Sequence, residues 1–397
     1  MTDTIPLSLP DITDAEVRAV VATLRSGRLS IGPQAEEFER LVARRAGRTH
    51  GIAVSSGTAG LHLALLALGI GPEDEVITPA FSFVASANCV LYVGAKPVFV
   101  DCDPRTLNMR ADAVESKITD RTKAIIGVEV FGNPAGMSEL AALSNKYEIP
   151  LIEDACEGLG GRLGTDAIGG FGRVAVFGFY PNKQITTGEG GMIVTHDDTL
   201  ADQCRSLRNH GRAGTSRATA SGGPAALGSW LEHERMGFNF RMNELSAALG
   251  VAQMRRLDEL LEMRQWVAET YTRRLMGNAD VLVPTVAADC FMSWFVYVVR
   301  LSDRFTEAER DEIIAGLRRH DVGASNYFPP IPMLPHFRRL CGHQPGDFPV
   351  AESVSHRTIA LPFFTRLTGR EVDLVCQTLE LMIKRASFAR SAIEELE

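Results

Sequence analysis

From Gly51 to Thr195 the chain alternates short apolar runs with helical stretches, and that alternation leaves few folds open. Gly51 to Val54, Glu75 to Thr78, Pro97 to Asp101, Ala124 to Val130 and Pro150 to Glu153 read as strands. Ser82 to Tyr92, Ala111 to Ile118 and Met137 to Tyr147 read as the helices between them. Strands spaced by helices predict a parallel sheet with helices on both faces. In such a sheet ligands bind beyond the carboxyl ends of the strands, so the residues just past each strand carry most information.

Flanking segments extend the pattern. Asp14 to Ser26 follows a Thr13 cap, and Gln34 to Arg45 follows Gly32-Pro33. A long helical stretch, Asn243 to Leu275, leads into strands near Phe295 to Leu301 and Gly323 to Tyr327 and helices at Glu307 to His320 and Gly369 to Lys384. With 397 residues, 45% of them hydrophobic, there is core enough for two domains. The division expected is a large domain over 1–245 and a long linking helix with a smaller C-terminal domain over 246–397. Ser387 to Glu397 reads as a solvated helical tail, and Gly211 to Gly228 as a mobile loop rich in Gly, Ala and Ser. A net charge of −8 with no basic block argues against nucleic acid. Seven scattered cysteines without metal spacing read as reduced thiols, and no apolar run is long enough for a membrane helix. The expected location is the cytoplasm.

Three strand ends stand out. Val174 to Phe179 is an apolar strand stopped by Pro181, and Lys183 follows on a short loop that closes through Gly188 to Gly191 into Met192 to Thr195. The plain reading is an exposed loop lysine, but Pro and Gly on either side hold it more tightly than solubility requires. A constrained lysine amine can attack a carbonyl, either of a substrate or of pyridoxal phosphate (PLP). PLP would also need a phosphate cradle, a carboxylate for its pyridine nitrogen and a flat cover.

Ser56-Gly57-Thr58 opens an apolar helix directly after a strand, leaving N–H groups at the positive end of the helix dipole. The same residues could simply be a cap. Asp154 ends Leu151-Ile152-Glu153, where a buried carboxylate needs a partner: a pyridinium, a helix N-terminus or a structural cation. Phe83 lies just past the second strand, as a ring cover or as a core aromatic. Gly170-Phe171-Gly172-Arg173-Val174-Ala175 fits a dinucleotide fingerprint by letter, but it precedes a strand instead of opening a helix and is rejected.

The chain resembles the DegT/DnrJ/EryC1/StrS family, the PLP-dependent aminotransferases of sugar and aminocyclitol biosynthesis. The blocks that carry the likeness run in order along nearly the whole chain. They are Ser26 to Pro33, Ser56 to Ala59, Gly94 to Asp101, Glu153 to Glu157, Asn182 to Gly191, Gly237 to Leu245 and Tyr327 to Ile331. The resemblance implies an α/β fold-type I transferase with a mainly parallel seven-stranded sheet between helices and a smaller C-terminal α/β domain. It implies that Lys183 bonds the cofactor as a Schiff base and later moves the proton, that Asp154 pairs with the pyridine nitrogen and that Glu157 sits near the ring oxygen. Phe83 would stack on the ring, while Gly57 and Thr58, with Ser56, would hold the phosphate. Asn239 would reach the phosphate of the neighbouring subunit, making a homodimer with shared sites.

Two positions depart from the family pattern. Gly178 stands where many members place a phosphate-binding serine, and Glu157 where many have Gln or His; a carboxylate there would repel the ring phenolate unless one holds a proton. The family also includes dehydratases, in which histidine replaces the lysine, so Lys183 implies transamination. The donor expected is an amino acid, most plausibly L-glutamate, and the acceptor a nucleotide-linked keto sugar, with a keto cyclitol as the alternative. The segment Tyr327 to Pro335 is the expected wall of the sugar site. A non-catalytic sensor or scaffold would favour loss of Lys183 or Asp154, and both are present. A PLP lyase or sulfurtransferase would want a reactive cysteine on a mobile loop, and Cys156 sits beside a strand end.

Overall fold

A computed structural model describes residues 4–212 and 232–394, with side chains up to Phe388. The strands, in chain order, are β1 His50–Val54, β2 Glu75–Pro79, β3 Lys96–Val100, β4 Thr122–Val128 and β5 Leu151–Asp154. There follow a short pair, β6 Arg162–Leu163 and β7 Asp166–Ala167, then β8 Val174–Gly178 and β9 Gly191–Thr195. The later strands are β10 Val281–Leu282, β11 Cys290–Phe291, β12 Tyr297–Leu301 and β13 Thr358–Leu361.

Seven of these form the central sheet, in the order β1-β9-β8-β5-β4-β2-β3. Only β9 runs against its neighbours β1 and β8, so the sheet is mainly parallel as expected. Its strands are almost wholly buried because helices cover both faces. β10, β12 and β13 form a second, antiparallel sheet. In a third, β11 pairs with β6, tying the C-terminal half to the large sheet's β5–β8 connection.

The N-terminal segment also reaches across the molecule. Ile5 exchanges hydrogen bonds with Asp321 and Gly323, and buried Asp11 accepts from Arg256, Thr365 and Arg366. The expected long helix over Asn243 to Leu275 is two helices, Glu244–Arg255 and Leu257–Leu275. Arg256 breaks it at φ −105°, ψ 5°, where its guanidinium is shared among Asp11, Glu16 and Glu259. Gly323 to Tyr327 is not a strand: only Ser325 bridges to β13, because the chain before it pairs with Ile5. The loop expected at Gly211 to Gly228 lies, from residue 213, outside the described residues. Among the described residues no helix is long and apolar enough to cross a membrane, and no side-chain group could hold a metal ion.

Candidate active site

The carboxyl ends of β2, β5 and β8 open onto a cavity of about 630 Å³. Its lining includes Ser56, Gly57, Thr58, Phe83, Asp154, Glu157, Gly178 and Lys183. Those are all but one of the residues singled out in the sequence, Gly178 among them as the departure from the family pattern. The exception is Asn239, which is exposed, bridges Asn209 and does not line the cavity of its own chain.

Lys183 sits on the loop between β8 and β9, where its N–H donates to Tyr180 O at 2.9 Å. Its Nζ lies 3.6 Å from Glu157 Oε1 and 3.9 Å from the centroid of the Phe295 ring. Glu157 is buried and held from behind by the Phe131 N–H, 2.8 Å from Oε2. Burial raises the pKa of its carboxyl, and Lys183 opposes that rise.

Asp154 closes β5 at 6% exposure. It accepts a hydrogen bond within its own segment, from Cys156 N–H at 3.3 Å; burial raises its pKa, and the charge of Lys183 opposes that rise. A buried acid that lines a cavity and makes no ion pair among the described residues suits a cationic ring nitrogen. Gly57 opens the helix Gly57–Ala67, and the Ser56 hydroxyl accepts from Ala59 N–H as its N-cap. Gly57 and Thr58 line the cavity in the helix's first turn, where N–H groups have no intrahelical partners and suit an anion. Backbone crowding fixes the shape here: a Cβ at Gly57 would stand 2.6 Å from Cys156 Sγ, and one at Gly191 2.7 Å from Gly57 N.

Phe83 is not a core aromatic. The helix expected from Ser82 begins at Ala85, and the Phe83 ring is 56% exposed on the cavity wall. Tyr327, Phe328 and Pro329, from the segment expected to wall the sugar site, also line the cavity, together with Asn326 just before it. The Cys156 thiol packs against Gly178: a Cβ there would lie 3.2 Å from Sγ. Burial pushes that thiol's pKa up, so it stays protonated. Phe295 reads in the sequence only as the start of a strand, not as a site residue; the strand itself, β12, begins at Tyr297.

A family model described as the DegT/DnrJ/EryC1/StrS aminotransferase family matches residues 10–380. The chain belongs to that family. It is accordingly a PLP-dependent aminotransferase of fold-type I. Among curated relatives it is 36% identical to the spore coat polysaccharide biosynthesis protein SpsC of Bacillus subtilis, over 96% of this chain and 98% of that one. It is 38% identical to the GDP-perosamine synthase of Caulobacter vibrioides, over 89% and 91%. Among solved structures it matches the PLP form of Spr1654 from Streptococcus pneumoniae with a TM-score of 0.88 at 28% identity, covering 96% of this chain and 99% of that one.

Proposed function

We propose that this aminotransferase moves an amino group from an amino acid, L-glutamate foremost, to a keto sugar carried on a nucleoside diphosphate. The observation that carries the reading is convergence: the Lys183 amine, the buried Asp154 and the N-terminus of Gly57–Ala67 meet at one cavity. Bound PLP supplies an electron sink that stabilises negative charge at the carbon losing its proton.

The chain's own groups do the rest. Lys183 is the amine that bonds the cofactor and, once released, holds and moves the proton at its Nζ. Asp154, shielded from water, accepts a hydrogen bond from the protonated pyridine nitrogen and keeps that proton in place. Gly57 and Thr58 N–H groups, with the Ser56 hydroxyl beside them, bind the phosphate. Phe83 covers the ring face. Glu157, whose pKa burial raises, can share a proton with the ring oxygen instead of repelling it. The exposed Asn239 serves the partner subunit's phosphate, so two chains complete each site and the working form is a homodimer in the cytoplasm.

The names of the relatives support the acceptor class: one belongs to polysaccharide biosynthesis and another is a GDP-sugar synthase. The test offers the PLP-loaded protein glutamate with isotopically labelled nitrogen and a panel of nucleotide-linked keto sugars and keto cyclitols. Label in a nucleotide-linked amino sugar supports the reading. Label only in a cyclitol, or in no acceptor, overturns it.

A further inference from the structure

Arg264 lies in the helix Leu257–Leu275, on a stripe of buried residues that is otherwise mostly apolar: Leu257, Leu260, Leu261, Val267, Ala268, Tyr271. It is 3% exposed and makes no ion pair with a carboxylate among the described residues. Burying a guanidinium with no carboxylate in ion-pair reach, and only the charge of Asp11 acting from further off, is costly, so its hydrogen bonds must serve a purpose that Leu or Met could not.

Those bonds go to main-chain carbonyls on two separate segments. Nη2 donates to Lys183 O at 2.7 Å, and Nη1 to Phe295 O at 3.3 Å with a weaker contact to Trp294 O at 3.5 Å. The same two segments supply the amine and the ring beneath it, since Lys183 Nζ stands 3.9 Å from the Phe295 centroid. Gln184 adds a second tie. Its Nε2 donates to Glu157 O at 2.6 Å and to Ser293 O at 2.9 Å.

We infer that Arg264 is a positioning residue for Lys183, joining the lysine loop to the Phe295 segment so that the amine has one fixed seat between Phe295 and Glu157. A lysine side chain has four rotatable carbons, and its end is placed only as well as its main chain. The planar fork of arginine suits this task, because it spans two carbonyls at once where an ammonium offers a single point. The inference rests on Lys183 being the lysine that bonds the cofactor.

The experiment compares full-length wild type with Arg264→Lys and Arg264→Met, using two probes. Pyridoxamine phosphate fills the site without a lysine bond, and its affinity reports the cavity. PLP with borohydride trapping, read by the mass of the Lys183 peptide, reports the lysine. Pyridoxamine phosphate affinity should stay within about twofold of wild type, as for sites that share no contact. The rate of adduct formation at Lys183 should fall by about tenfold or more in Arg264→Met, the order of loss a misplaced reacting group incurs. Arg264→Lys should recover part of it.

Parallel loss with both probes would show a merely structural role and overturn the inference, as would an unchanged trapping rate. If the Arg264 variants do not fold, Gln184→Met under the same probes decides: selective loss of trapping supports the clamp, and its absence refutes it. Wild type that forms no adduct at Lys183 would overturn the cofactor reading itself, which is a separable outcome.

Discussion

Replacing Glu129 by Gln should stabilise the protein increasingly as pH rises. Glu129 follows β4, and three carboxyls meet there: Glu129 and Glu153 at 0% exposure and Asp154 at 6%. Glu153 is satisfied, accepting from the N–H groups of Gly169, Phe171 and Gly172, while Arg48 binds the carbonyls of Gly169 and Gly172 on the same turn. Among the described residues no donor reaches either oxygen of Glu129. Burial, and next the negative charge of Glu153, raise its pKa well above the ordinary 4.5.

The folded chain therefore keeps a proton that the unfolded chain has already lost. From about pH 4.5 upward folding takes up that proton, so on this account stability falls by up to about 1.4 kcal/mol per pH unit until the folded pKa is reached. Gln cannot lose a proton, and its amide can donate to Glu153. Glu129→Gln should thus be close to wild type near about pH 5 and pull ahead of it as pH rises, at up to that slope. Urea unfolding midpoints of both proteins at matched cofactor loading, taken across that range, measure the difference. A difference that does not change with pH, or a variant less stable at neutral pH, would refute the reasoning, because it would mean that Glu129 is ionised in the folded state.

Three further outcomes follow from the geometry. Gly178→Ser adds a hydroxyl for the phosphate, worth about 1.5–3 kcal/mol, but its Cβ presses on Cys156 Sγ at 3.2 Å, an overpacking cost of about 1–3 kcal/mol. Alone it should barely change cofactor loss on dialysis. In a Cys156→Ala background it should slow that loss, and faster loss there would show that the glycine serves the backbone. If Asn239 serves the partner's site as proposed, mixing Lys183→Ala and Asn239→Ala chains through unfolding and reassociation should restore activity well above the sum of the two, since one site of each mixed dimer would carry neither defect. Mixed dimers without recovery would place Asn239 in its own chain's service or in none. Asp11 and Glu16 have pKa values held down to about 2, Asp11 chiefly by Arg366 and Glu16, against its burial, by Thr13. Their folded pKa values lie below the unfolded ones, so their stabilisation is present above about pH 4 and is lost as pH falls toward 2. Asp11→Asn should lower the thermal midpoint at neutral pH and flatten that acid limb; an unchanged acid limb would contradict the assignment.

The legibility of this chain follows the length scale of each feature. Asp154, Lys183 and Gly57 could be found because strand ends are punctuated locally, by Pro181, by Gly188 to Gly191 and by the small residues before Leu61. β6, β7, β10 and β11 are two residues long, too short to show a period. The break at Arg256 leaves no mark in an unbroken helical pattern, because what bends the chain is a set of carboxylates from Asp11, Glu16 and Glu259. Arg264 did leave a signal, a charge standing in a buried helical stripe, but its partners are carbonyls that only the fold brings near. Glu129 left the same kind of signal, a charge inside the apolar run Ala124 to Val130, but the acids it meets, Glu153 and Asp154, come from another strand.

The most direct test of the account is the first half-reaction, without any sugar. PLP-loaded protein, mixed with L-glutamate in the absence of an acceptor, should lose the absorbance band of its bound aldehyde and release one keto acid per site, and adding the keto acid should restore the band. Lys183→Ala should do neither at a comparable rate. A wild-type protein whose spectrum ignores glutamate and every other amino acid, or a Lys183→Ala variant that cycles as fast as wild type, would contradict it.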